Sequence, residues 1–130
     1  MLAVVPAVDV IDETFLAVPQ STVKAAFADP RAWRRFWPDL DLAVYADRGD
    51  EGVRWTVRGA LVGTMEVWLE PVLDGTVLHY FLRADFPPGG GHAKPVKEAQ
   101  RRQQAAKAVA LDLKFVLEDG RPPGIAPAGG

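Results

Sequence analysis

The chain has 130 residues, 48% of them hydrophobic and 25% charged, with 15 basic against 17 acidic side chains, a net charge of −2 and no cysteine. This is the size and composition of one globular domain able to bury its own core, and it excludes disulfides, thiolate chemistry and cysteine-held metal centres. The near balance of charge gives no electrostatic footprint for nucleic acid, and no apolar run approaches the ~20 residues of a membrane span, so neither nucleic acid nor stable membrane insertion is expected.

The first 15 residues, "MLAVVPAVDVIDETF", carry no positive segment ahead of a long apolar one. With cysteine absent, a cytoplasmic location is expected. Asparagine is also absent, isoleucine occurs twice, and ten arginines stand against five lysines. That usage is what a GC-rich genome imposes and points to a bacterial source.

Val8 to Val18 alternates Val8, Val10 and then Phe15 with polar neighbours and stops at Pro19, which predicts a first strand. The alternation slips near Asp12 and Glu13, where a bulge is expected. "PQSTVKAAFADP" puts Val23, Ala26 and Phe27 on one side of a short helix that Pro30 closes. "PRAWRRFWP" then opens a second short helix, with Trp33, Phe36 and Trp37 three and four residues apart.

From Leu40 the period becomes two. Leu42 and Val44 belong to one strand, and Arg48 to Gly52 turn the chain. Val53, Trp55 and Val57 then alternate with Arg54, Thr56 and Arg58, and Met65, Val67 and Leu69 with Glu66, Trp68 and Glu70. After Pro71 and a "DGT" turn, Leu78, Tyr80, Leu82 and Ala84 alternate with Val77, His79, Phe81 and Arg83. The pattern is an antiparallel meander. "FPPGGGHAKP" is a loop, read as a flap or a plain connection. Pro95 opens a helix that runs to about Glu118, with Ala99, Ala106, Val109, Leu113 and Val116 as its apolar stripe, widened by Ala105, Ala108 and Phe115. Residues 1–120 therefore read as a single domain, and 121–130 as a disordered Pro/Gly tail.

A long helix after such a meander is most simply buried across the concave face of a curved sheet. The segment "FLAVPQSTVKAAFADPRAWRRFWPD", with its strand, Ala-x-Pro turn and tryptophan-bearing second helix, resembles the entry segment of the START-like, helix-grip superfamily. "GTMEVWLEPVLDGTVLHYFLRAD" resembles the final hairpin of its bacterial polyketide cyclase/dehydrase and lipid-transport branch. The resemblance spans about residues 8 to 118. It implies an α+β fold, a curved antiparallel sheet of about five strands wrapped around a long C-terminal helix, with two short helices after the first strand. The family typically has seven strands, so the shorter sheet implies a reduced cavity or one completed by a partner subunit.

The resemblance also implies a cavity between sheet and helix for a small hydrophobic molecule: a lipid, an isoprenoid or a polyketide-like compound. On the reading of the faces above, the residues expected to line it are Trp33, Phe36, Trp37, Trp55, Val57, Met65, Val67, Tyr80, Leu82, Gln103, Ala106, Val109 and Leu113. Arg54, Arg58, Glu66, Glu70 and Arg83 fall on the opposite face as cross-strand charge pairs. Trp68 and Phe81 share that face with them, where one reading is a homodimer contact and the other a stacking of Arg54 or Arg58 over Trp68. His79 has no evident partner for acid/base work and points away from the cavity, so no catalytic residue is assigned. No metal site and no cofactor are expected, as the chain lacks the spacing of histidine ligands. Lys94, Lys97, Arg101 and Arg102 read as a solvated helix face, with contact to an anionic membrane surface the alternative. Three functions remain open: a hydrophobic-ligand binder or carrier, a polyketide aromatase/cyclase or dehydratase, and a ligand-free interaction module with a packed interior.

Overall fold

The computed structural model describes residues 5–89 and 93–119; the 121–130 tail and the centre of the Gly-rich loop lie outside these. Strand β1 (Val8–Leu16) is followed by helices α1 (Gln20–Ala26) and α2 (Pro30–Phe36). Strands β2 (Leu40–Asp47), β3 (Gly52–Gly59), β4 (Val62–Val72) and β5 (Gly75–Asp85) follow, and then helix α3 (Pro95–Leu117). The five strands form one antiparallel sheet in the order β1-β5-β4-β3-β2. No helix among the described residues is long and apolar enough to cross a membrane.

Local chemistry accounts for the boundaries. Asp29 caps α2 by accepting a hydrogen bond from the Arg31 N–H at 2.9 Å, and Pro30 occupies the first turn, where its missing N–H costs nothing. Pro95 plays the same part in α3. Gly52, at φ 132°, lies in the region that side-chain-bearing residues avoid, and a Cβ there would fall onto the Val67 carbonyl oxygen. Glycine at that position lets β3 leave its turn against β4.

The two faces of the meander are as the alternation predicts. Val53, Trp55, Val57, Met65, Val67, Leu69, Leu78, Tyr80 and Leu82 are all buried on the inner face. On the outer face Arg54 pairs with its cross-strand neighbour Glu66 at 3.0 Å, and Arg48 joins the same carboxylate.

Strand β1 differs from its prediction. Its register with β5 runs unbroken from Val8↔Ala84 to Leu16↔Thr76, with no bulge at Asp12. Asp12 takes an inward position opposite Tyr80, and is buried because Gln103 and Lys107 of α3 neutralise and hydrogen-bond its carboxylate. The polar residue looked like a slip in the pattern because its partners are remote in sequence, Gln103 lying 91 residues away and Lys107 farther still. Phe15, expected beside Val8 and Val10, lies in the other row opposite Val77. The sheet's one bulge is in β2, between Val44 and Ala46.

Helix α3 keeps Ala99, Ala106, Val109 and Leu113 of the predicted stripe inward, but its margins differ. Val116, Phe115 and Ala108 are exposed, and the buried line is Glu98, Arg102, Ala106 and Ala110, with Ala99, Val109, Leu113 and Leu117 half-buried. Arg102 therefore does not belong to a solvated face. Two ionised residues can take core positions because they neutralise one another, as described next.

Candidate functional site

Helix α3 runs along β1 and crosses the inner face of the sheet above the aromatic side chains of α1, α2 and the strands. Phe27 and Trp37 stack with centroids 6.3 Å apart, and Trp37 stacks on Tyr80 at 6.1 Å. Trp55 meets Trp37 edge-on at 5.8 Å, and Trp33 meets Trp55 edge-on at 5.5 Å. The floor under the helix is thus one continuous aromatic cluster, and contacts of this kind each add ~0.5–1.5 kcal/mol beyond simple burial.

The space enclosed between this floor and α3 is lined by Asp12, Phe27, Trp37, Val67, Leu78, Tyr80, Ala106, Val109 and Ala110, and amounts to about 10 Å³. That is room for one water molecule. Of the residues expected to line a cavity, Trp37, Val67, Tyr80, Ala106 and Val109 do meet in this space. Trp55, Val57, Met65 and Leu82 are core residues of the inner face, Leu113 is half-buried, and Trp33 and Phe36 pack at the cluster's margin. Trp33 also borders a separate open cleft of about 130 Å³ with Leu40 and Leu42. Gln103 is occupied by its hydrogen bond to Asp12 at 2.9 Å. Sequence reasoning missed Asp12, Phe27, Leu78 and Ala110. Phe27 and Leu78 were placed on inward faces, and only the four-residue spacing from Ala106 to Ala110 could have added the last.

Among the described residues, three polar atoms inside this cluster have no hydrogen-bond partner: the indole N–H groups of Trp37 and Trp55 and the Tyr80 hydroxyl. By contrast the Trp33 N–H donates to the Phe27 carbonyl at 2.7 Å. Burial pushes the Tyr80 phenol above its ordinary pKa, with the Asp12 charge acting in the same direction and Arg102 opposing, so the group stays a protonated donor. Leaving such a donor unpaired costs ~1–3 kcal/mol. Replacing Tyr80 by phenylalanine is therefore expected to stabilise the empty protein by about 1 kcal/mol, a rise of a few degrees in Tm by calorimetry. A fall in Tm would mean that the hydroxyl has a partner, such as a buried water.

The helix is fastened to the rest mainly by polar groups. Near its N-terminus Arg102 donates to Glu98 at 2.8 Å and makes a two-pronged pair with Asp39 at 2.7 and 2.9 Å, and Arg101 reaches both carboxylates. Hydrogen bonds from Arg102 hold the Asp39 carboxyl below the usual range against its partial burial. Burial pushes Glu98 up, but hydrogen bonds from Arg101 and Arg102 outweigh it and hold that carboxyl low as well. In the middle, Gln103 and Lys107 bond Asp12, and the Lys107 ammonium also donates to the Glu13 carbonyl and the Thr14 hydroxyl. Toward the C-terminus, Lys114 donates to the Phe15 carbonyl and to Glu118, whose carboxylate accepts from the Ala17 N–H at 2.7 Å.

The outer face carries a second cluster. His79 is buried flat against Trp68, with centroids 4.2 Å apart, and is flanked by Glu70 at 3.0 Å and Glu13 at 3.5 Å. It occupies the place over Trp68 that one of the two readings gave to Arg54 or Arg58. Trp68 and Phe81 are consequently only half exposed, bridged by the imidazole. Among the described residues no group of carboxylates and histidines could hold a metal ion.

No family model and no curated protein matches the chain. Solved structures do. A START superfamily protein from Mycobacterium smegmatis matches with a TM-score of 0.65 at 13% identity, over 85% of this chain and 97% of that one. The Aha1 dimer from Colwellia psychrerythraea matches at 0.64 and 14%, over 88% and 99%. DynU16, a protein of the dynemicin biosynthetic locus, matches at 0.61 and 17%, over 88% of this chain and 48% of that one. At these identities the likeness shows the fold: a START-like helix-grip, here with five strands.

Proposed function

We propose that this helix-grip chain binds a small hydrophobic molecule between the sheet and α3, and that the helix moves to admit it. The observation that carries the reading is how α3 is held. Over the aromatic floor it presents Ala106, Val109 and Ala110, with only two leucines, Leu113 and Leu117, half-buried toward its end, while ion pairs and hydrogen bonds tie it along β1 and to Asp39. Polar contacts exchange for water at a net cost of only ~0.5–1.5 kcal/mol each, so a helix held this way belongs to the least stable part of the molecule. What it uncovers is apolar: each CH₂ of a guest buried there contributes about 0.8 kcal/mol. The START superfamily neighbour and DynU16 support a binding or cyclase-type use of the fold. Binding is favoured over cyclisation because the one carboxylate bordering the interior, Asp12, is engaged by Gln103 and Lys107, and the other polar groups there are uncharged donors.

The test is saturable uptake of a neutral fluorophore, N-phenyl-1-naphthylamine. We expect 1:1 stoichiometry, micromolar affinity and faster uptake at higher ionic strength, since salt screens the pairs that close the helix. Uptake that rises linearly without saturating would remove the reading. The enclosed volume of about 10 Å³ favours a second reading in that event, a ligand-free interaction module using the outer face around Trp68 and Phe81, including self-association. A mass measurement in solution at micromolar concentration would then decide whether that face pairs with a second copy.

A further inference from the structure

The unpaired groups under α3 are all donors. An indole N–H can only donate, and the Tyr80 phenol, held protonated, brings a third hydrogen to the same cluster. Tyr80 and Trp37 both border the enclosed space, and Trp55 packs edge-on behind Trp37. The charged groups nearby limit the guest further. Asp12 borders the space with its carboxylate already paired to Lys107, so an anionic head would find no free cation there. Arg102, the other cation of this part of the helix, is likewise engaged by both Glu98 and Asp39. Asp12 in turn accepts from Gln103 and Lys107, leaving little demand for a donor on the guest.

We propose that the molecule bound beneath α3 is uncharged and presents a carbonyl oxygen to these donors, as a cyclic ketone or a quinone does; this rests on the ligand-binding reading above. A carbonyl oxygen has two lone pairs and brings no hydrogen of its own, so it satisfies Tyr80 and an indole without creating a new unpaired group. A hydrocarbon of the same shape leaves the donors unpaired, and a hydroxyl adds a hydrogen that needs an acceptor. Selectivity comes from the cost of the unpaired protein groups, relieved by only one class of guest.

The experiment compares three bicyclic probes of one skeleton by isothermal titration calorimetry: tetralin, 1-tetralone and 1,2,3,4-tetrahydro-1-naphthoate. Each is titrated into the full chain and into its Tyr80→Phe and Trp37→Phe variants. Tetralone is expected to bind about tenfold more tightly than tetralin, and the naphthoate more weakly than either. In Tyr80→Phe the advantage of tetralone should shrink several-fold while tetralin binds unchanged. Equal affinity for tetralin and tetralone would overturn the inference and leave ligand binding intact. An advantage of tetralone that survives in both variants would overturn it as well, since the carbonyl would be read elsewhere. Failure of all three probes to bind would remove the ligand-binding reading and the inference together.

Discussion

Replacing Arg102 by alanine is expected to lower stability by about 3 kcal/mol at neutral pH, because Glu98 and Asp39 would be left facing each other with Arg101 alone between them. The figure is the low end for breaking a buried ion pair, since Asp39 remains partly open to water with its side chain 38% exposed. The pH dependence distinguishes this from lost packing. In the native chain both carboxyls are held below their ordinary values, so their contribution is complete above about pH 4.5 and disappears as pH falls through the lowered native values. In the variant they protonate without penalty, and the stability difference should narrow steadily between pH 5 and about pH 3. Urea unfolding of both proteins across that range measures it. A difference independent of pH would mean that the arginine stem, and not its charge, accounts for the loss. Amide exchange in the first half of α3 should accelerate at the same time, because this triad is what joins that half to the turn after α2.

Trp37→Ala should cost more, about 4 kcal/mol, equivalent to a fall in Tm on the order of 15 °C. Trp37 is buried and in ring contact with Phe27, Phe36, Trp55 and Tyr80, so no neighbour can close the void without losing its own partners. The void opens directly onto the space under α3, and it should accept an aromatic guest. Indole at ten times its dissociation constant would then restore about 1.4 kcal/mol by mass action. A variant that is destabilised but does not respond to indole would mean the surroundings have collapsed into the gap, and would count against any guest being held there.

What could be read from the sequence follows from the range of the interactions involved. The meander and its two faces were legible because a strand's period of two is set by the backbone, and both short helices were bounded by prolines. The inner aromatic row, Trp55 and Tyr80 with Trp37 beneath, followed from the same alternation. Three features were not legible. Asp12 read as an interruption because Gln103 and Lys107, which make its burial tolerable, are remote in sequence. Arg102 read as surface charge for the same reason, its partner Asp39 lying in the turn between α2 and β2. The placement of His79 over Trp68 depends on the β4–β5 register, which sets those residues directly opposite one another. Each is a charge or ring whose environment comes from another part of the chain. A residue scale has no means of anticipating that.

The attachment of α3 to β1 has one more effect. An edge strand offers a row of bare carbonyl and N–H groups to any extended segment that passes, and this is how sheets recruit foreign strands. At the C-terminal end of β1 part of that row is already occupied: Lys107 bonds the Glu13 carbonyl, Lys114 the Phe15 carbonyl, and Glu118 the Ala17 N–H just beyond the strand. At the other margin the bulge at Tyr45 breaks the even spacing that a new strand would need, and Asp41 and Asp47 stand on either side of it. The sheet is therefore guarded against growth at both ends. Were α3 displaced for a guest as proposed, it would uncover part of the β1 edge as well as the interior, and prompt reclosure would then protect the chain from aggregation.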